Sequence, residues 1–168
     1  MSEHSVIDYS DIRSSVTEGL GSDSLGWIEI VTQCFEDIKT RCDEEDHDYP
    51  LVLQIKEKFG ELRIYLHQSK AGRPEFVGTY LETARQMANR SCEMCGNSCR
   101  QQWIGNWMRN LCAFCAHEDA KRQKLKLHKQ PLNKAIDHRL KCSTCGYIGQ
   151  IVPGGSECVA CVIETSDN

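Results

Sequence analysis

Eight of the chain's eleven cysteines stand in pairs with two residues between the members: Cys92 and Cys95, Cys112 and Cys115, Cys142 and Cys145, Cys158 and Cys161. Two intervening residues make a knuckle tight enough to turn both sulfurs inward. Two such pairs offer one ion four thiolates, the tetrahedral set that zinc takes at about 2.3 Å. Sixteen residues separate the first two pairs and twelve the second two. The spacing predicts two structural Zn2+ ions, one per four-cysteine set. Four cysteines also suit an iron–sulfur cluster. A redox Cys-x-x-Cys pair would sit between a strand and a helix in a thioredoxin-like pattern, which is missing. Four thiolates fill the shell, whereas catalytic zinc keeps a position open for water. The sites are therefore expected to be scaffolding.

Three cysteines remain. Cys34 falls on an apolar helical face and reads as core filler, and Cys42 is ambiguous. Cys99 and His117 are alternative ligands for the first site, which four thiols already complete.

Each pair needs elements to hold it. Gly96 and Gly146 follow the first pair of each set, where a knuckle calls for left-handed backbone. "NSCRQQWIGNWMRN" suits a short hairpin around Gly105, and "CAFCAHEDAKRQ" opens a helix. A knuckle, a hairpin and a pair in the first helical turn make a treble-clef-like finger over 91–130, ending in a basic helix. Pro131 interrupts that helix, and residues 131–141 form a linker. "KCSTCGYIGQIVPGGSECVAC" reads as a zinc ribbon over 142–168, two knuckles and a hairpin, with too few apolar residues to fold by burial alone.

Upstream, Trp27, Ile30, Val31, Cys34, Phe35 and Ile38 recur with helical period behind a candidate N-cap at Ser24. The acidic run Asp43 to Asp46 opposes the helix dipole at its end, so fraying is expected there. "LVLQIKEKF" and "GELRIYLHQ" alternate as strands and pair through a short link at Gly60. "PEFVGTYLETARQMANR" is a second helix. Residues 24–90 are expected to form an α-β-β-α unit and residues 1–23 a loose, flexible lead-in. The fold class is α+β.

Composition narrows the function. No apolar run reaches the ~18 residues of a membrane span, and the N-terminus has no signal-peptide pattern. A cytoplasmic location is expected, where thiols stay reduced and favour metal over disulfides. Charge is segregated: residues 1–60 carry 14 acids against 5 bases, 61–141 carry 7 against 15, and 142–168 carry 3 acids and no base. Each ion held by four thiolates adds −2 relative to neutral thiols, which takes the formal −4 to −8. An acidic protein is a poor general binder of nucleic acid. P-loop, Rossmann, G-x-S-x-G and H-E-x-x-H motifs are missing. An HNH nuclease needs histidines on the hairpin, and this hairpin has none. No enzymatic role is expected.

Candidate contact residues are Trp103 and Trp107 on the hairpin and Lys121, Arg122, Lys124, Lys126 and Lys129 in the basic segment. Lys56, Lys58 and Arg63 face outward from the first hairpin in the same reading.

Two resemblances follow from these motifs. "QIKEKFGELRIYL" with "SCEMCG" and "LCAFC", over roughly residues 50–117, resembles small uncharacterised proteins of bacteria, phages and prophages. That likeness implies a phage or mobile-element origin and no established activity; the C-terminal cysteine module departs from it. The four-cysteine segment alone resembles the zinc finger of DksA/TraR-type transcription factors, which bind RNA polymerase, although those carry a coiled-coil hairpin where this chain has the α-β-β-α unit. The function expected is that of a zinc-stabilised binding protein that regulates or inhibits a host or bacterial complex, such as a defence system, by protein–protein contact. The alternative is a nucleic-acid-binding regulator that uses residues 121–141. No membrane partner is expected.

Overall fold

In a computed structural model, which describes residues 4–68, 72–104, 106–123, 141–147 and 151–166, the apolar period from Trp27 to Ile38 becomes the longest helix. The chain divides into two compact units, Met1–Asn89 and Arg90–Asn168. Both mix helix with one two-stranded antiparallel sheet. Among the described residues no helix is long and apolar enough to cross a membrane.

The first unit runs α1 (Ile12–Leu20), α2 (Leu25–Glu45), β1 (Val52–Lys58), β2 (Glu61–Leu66) and α3 (Glu75–Ala88). α2 buries Trp27, Ile28, Val31, Phe35 and Ile38 against Val52, Ile55 and Leu62 of the sheet and Val77 and Leu81 of α3. Trp27 Nε1 donates to the Ala88 carbonyl at 3.1 Å, so the largest core side chain satisfies its one polar atom. Cys34 and Cys42 belong to this core. Burial pushes the Cys34 thiol up to about 12, which keeps it protonated and inert.

Three local features differ from the sequence reading. The lead-in is not loose from Ile7 onward: α1 is capped by the Asp11 carboxylate, which accepts from Ser14 N–H, and Ile7, Ile12 and Val16 join the core. Ser24 stands at the start of α2, but its hydroxyl donates to Leu20 O instead of capping. The acidic end of α2 closes on Asp46 in a left-handed conformation, with Lys39–Asp43 and Arg41–Glu45 pairs along its last turns.

β1 and β2 pair from Val52↔Leu66 to Lys58↔Glu61, with an irregularity between Val52 and Gln54. The two-residue turn is Phe59–Gly60, at φ 56° and 71°. Hairpin turns of this kind favour Asn or Asp at the first position, because both residues must take positive φ. A phenylalanine there is a genuine outlier. Gly60 N–H donates to Glu57 Oε1 at 2.6 Å and helps close the turn.

The second unit contains β3 (Arg100–Ile104), β4 (Trp107–Leu111), α4 (Ala113–Gln123) and α5 (Val159–Ser166). β3 and β4 pair from Arg100↔Leu111 to Ile104↔Trp107. The C-terminal module departs from a ribbon of two knuckles. Its second cysteine pair opens α5 instead, with Val162 N–H donating to Cys158 O. The linker 131–141, apart from Lys141, lies outside the described residues, as do Lys124, Lys126 and Lys129.

Candidate metal centres

The two modules repeat one local design. In the first, Cys92 N–H donates to Asn97 O at 2.7 Å and Gly96 N–H to Cys92 O at 2.8 Å. In the second, Cys142 N–H donates to Tyr147 O at 2.8 Å and Gly146 N–H to Cys142 O at 2.9 Å. Gly96 and Gly146 take φ of 77° and 73°, the conformation that closes each knuckle and that a Cβ would disfavour. The other pair of each set straddles a helix start. Cys112 immediately precedes α4 and Cys115 lies in its first turn; Cys158 and Cys161 stand in the same relation to α5. A three-residue step along a helical turn keeps both sulfurs on one side. The positive end of the helix dipole faces the thiolates.

At the first site the sulfurs of Cys92, Cys95, Cys112 and Cys115 all lie within 4.8 Å of one another. Cys95 and Cys112 are 3.6 Å apart. Burial pushes the Cys115 and Cys92 thiols up, Cys92 to about 11, and the crowded sulfurs beside them act in the same direction. Such a cluster favours a cation, which removes the protons and neutralises the repulsion in one step.

The second site is wider than the sequence pattern allows for. His117 Nε2 and the sulfurs of Cys145, Cys158 and Cys161 lie within 4.8 Å of one another. Cys145 and Cys158 are 3.6 Å apart. Cys142 adjoins them: its sulfur accepts the N–H of Cys158 at 3.2 Å and of Cys145 at 3.5 Å. Burial raises the Cys142 thiol, but these backbone donors outweigh it and bring it down to about 7.

Of the alternative ligands, Cys99 is not in the first group, and burial pushes its thiol up to about 12. His117 is in a group, but in the second set and not the first. Tyr147 ties the second knuckle to β4, donating its hydroxyl to Leu111 O at 3.2 Å.

The apolar support is meagre. Among the described residues, and apart from the cysteines, the buried hydrophobic set of this unit is Ile104, Leu111, Tyr147 and four alanines. A buried charge network that sequence reasoning missed adds to it. The Arg109 guanidinium of β4 bridges Glu93, in the first knuckle, and Asp119 of α4, the latter at 3.0 Å. Asp119 also accepts from Arg122 at 2.8 Å and Gln123 at 2.8 Å. Burial would raise the Asp119 carboxyl, but Arg122, Gln123 and Arg109 together hold it below its usual range. Three charges far apart in sequence meet here, and no spacing rule announces them.

The candidate contact residues are scattered. Trp107 is 68% exposed at the tip of the β3–β4 hairpin. Trp103 lies on β3 opposite Met108, and its side chain is outside the described ones. Lys121 and Arg122 are exposed on α4, with Arg122 held to Asp119. On the first hairpin, Lys56 faces Arg63 across the strands, and Lys56 Nζ sits 5.0 Å from the Tyr65 ring centroid. No family model matches this chain, and no curated protein or solved structure matches it either.

Proposed function

We propose that the chain is a non-enzymatic binding protein, stapled by two zinc ions, that docks on another macromolecular complex through protein–protein contact. Zinc is the reading the donor chemistry supports best. Thiolate and imidazole donors grouped compactly suit Zn2+, and calcium and magnesium prefer oxygen. The order knuckle, hairpin, helix supports a treble-clef arrangement for the first finger. The phage or mobile-element origin implied by the strand motif would make the partner a host complex, regulated or inhibited by the contact.

One observation carries the docking reading. Phe59 is 69% exposed at a hairpin tip and adopts φ 56°. Neither the backbone nor the core favours a phenylalanine in that place. An exposed aromatic kept against backbone preference is the kind of anchor that dominates interfaces. Trp107 offers a second exposed ring, on the other unit and in ordinary strand backbone. The test is affinity capture with the full-length protein, followed by the same capture with Phe59→Asn and with Trp107→Ala. The proposal predicts a stable protein partner that at least one of these variants loses. A partner retained by both variants removes these anchors. Salt-sensitive capture of DNA or RNA alone contradicts the protein-directed reading.

The second reading, nucleic-acid binding, has its own support. Lys121 and Arg122 of the basic segment 121–141 are exposed on α4. With Trp107, exposed in the same unit, they offer basic and aromatic groups suited to phosphates and bases. Neutralising Lys121, Arg122, Lys124 and Lys126 would then lower affinity and flatten its salt dependence.

A further inference from the structure

The second cluster has five donors for four positions. His117 comes from α4, two residues beyond Cys115, a donor of the first cluster. Residues two apart on a helix point about 200° away from each other, so Cys115 and His117 face opposite sides of α4 and cannot serve one ion. The helix thus turns one donor to each cluster.

The distances support coordination. His117 Nε2 lies 3.3 Å from Cys145 Sγ and 3.9 Å from the sulfurs of both Cys158 and Cys161. A tetrahedral ion with bonds of about 2.3 Å to sulfur and about 2.0–2.1 Å to nitrogen sets nitrogen and sulfur about 3.6 Å apart, and two sulfurs about 3.8 Å apart. The three nitrogen–sulfur separations bracket the first value, and Cys145 to Cys158, at 3.6 Å, is close to the second. The His117 side chain is largely buried, and its other ring nitrogen, Nδ1, faces the Glu164 carboxylate at 3.6 Å. A carboxylate behind the distal nitrogen is the usual orienting partner of a metal-bound histidine. Cys142 competes for the same position, because Cys92 occupies the matching place in the first knuckle. Its sulfur, however, stands outside the group whose four donor atoms all lie within 4.8 Å of one another.

We propose that the second ion is held by Cys145, Cys158, Cys161 and His117. Helix α4 then carries ligands for both ions, and the two sites load cooperatively. Filling the first site fixes the start of α4 through Cys112 and Cys115, and that presents His117 to the second. The inference rests on reading both clusters as metal centres and does not depend on any docking partner.

The test is cadmium-113 NMR on the full-length chain loaded with Cd2+, which reports how many sulfurs each ion holds. The proposal predicts two resonances, one typical of four thiolates and one of three thiolates with an imidazole. His117→Ala should shift or remove only the second and weaken that ion by at least about tenfold, the scale set even by outer-shell changes. Because His117→Ala could unfold the module, His117→Cys provides the companion: it should move the second resonance into the four-thiolate range. In native mass spectra, singly loaded chains should stay scarce during titration of the wild type and accumulate for His117→Ala. Two four-thiolate resonances that respond to Cys142→Ser and ignore His117→Ala would overturn the assignment but leave two metal centres standing. A chain that binds no cadmium would remove both readings.

Discussion

Replacing Phe59 with asparagine separates a ring kept for packing from one kept for contact. A non-glycine residue in left-handed backbone costs about 1–2 kcal/mol, and asparagine next to glycine is the preferred occupant of such a turn. The substitution recovers most of that cost. Against it stands the loss of the ring. Complete burial of a phenylalanine contributes roughly 1.5–3 kcal/mol. Phe59 is 69% exposed, so about a third of that range is at stake, roughly 0.5–1 kcal/mol by the same coefficient. Lys58 Nζ lies 5.4 Å from the ring centroid, and an exposed cation–π contact contributes about 0.5–1 kcal/mol. Gains and losses nearly cancel, and the net change is expected within about 1 kcal/mol of zero. A core phenylalanine truncated to a small residue costs about 3–5 kcal/mol. Urea unfolding followed by the fluorescence of buried Trp27, in the same unit, measures the difference. A loss above about 2 kcal/mol would show that the ring belongs to the fold and would refute its role as an anchor.

Two further outcomes follow from the second unit. Arg109→Met takes the cation from between two buried carboxylates and should destabilise that unit by about 3 kcal/mol, whereas Arg122→Met, at an exposed side chain, should cost about 1 kcal/mol or less; urea unfolding of the metal-loaded protein compares them. Asp119 has its carboxyl pKa lowered on folding, so its contribution is present above the unfolded pKa and lost as pH falls through the folded one; Asp119→Asn should flatten the stability profile below about pH 4, and equal slopes in the two proteins would contradict this.

The helical period and the strand pairing of the sequence reappear in the structure, although Val52, at the start of β1, is buried while Leu51 and Leu53, read as the inward face with Ile55, are exposed. The apolar spacing from Trp27 to Ile38 gave α2, and the alternation on either side of Gly60 gave the hairpin. The first two cysteine pairs converged as their spacing required, whereas in the second set Cys145, Cys158 and Cys161 gather with His117 and Cys142 adjoins them. α1 was hidden because only Ile12 and Val16 of its nine residues are buried. Its signals were local: an Asp11 cap and two apolar residues four apart. The C-terminal helix was hidden by composition. Val159, Val162 and Ile163 are β-branched and read as strand. The helix that forms instead returns Cys161 to the side of Cys158 after one turn, where both join the second cluster. His117 was assigned beside its sequence neighbour Cys115, and only the helical turn between them shows why it faces the other cluster. The Arg109 network is a tertiary meeting of single charges and left no pattern to read.

Metal, not apolar burial, is proposed to hold the described part of Arg90–Asn168 in its fold. Native mass spectrometry of the full-length protein, paired with amide exchange before and after chelation, tests it most directly. Two divalent ions per chain are expected; removing them should erase protection across the described residues of Arg90–Asn168 and leave those of Met1–Asn89 protected. A metal-free chain with that segment still protected, or one whose mass shows the paired cysteines oxidised to disulfides, would contradict it.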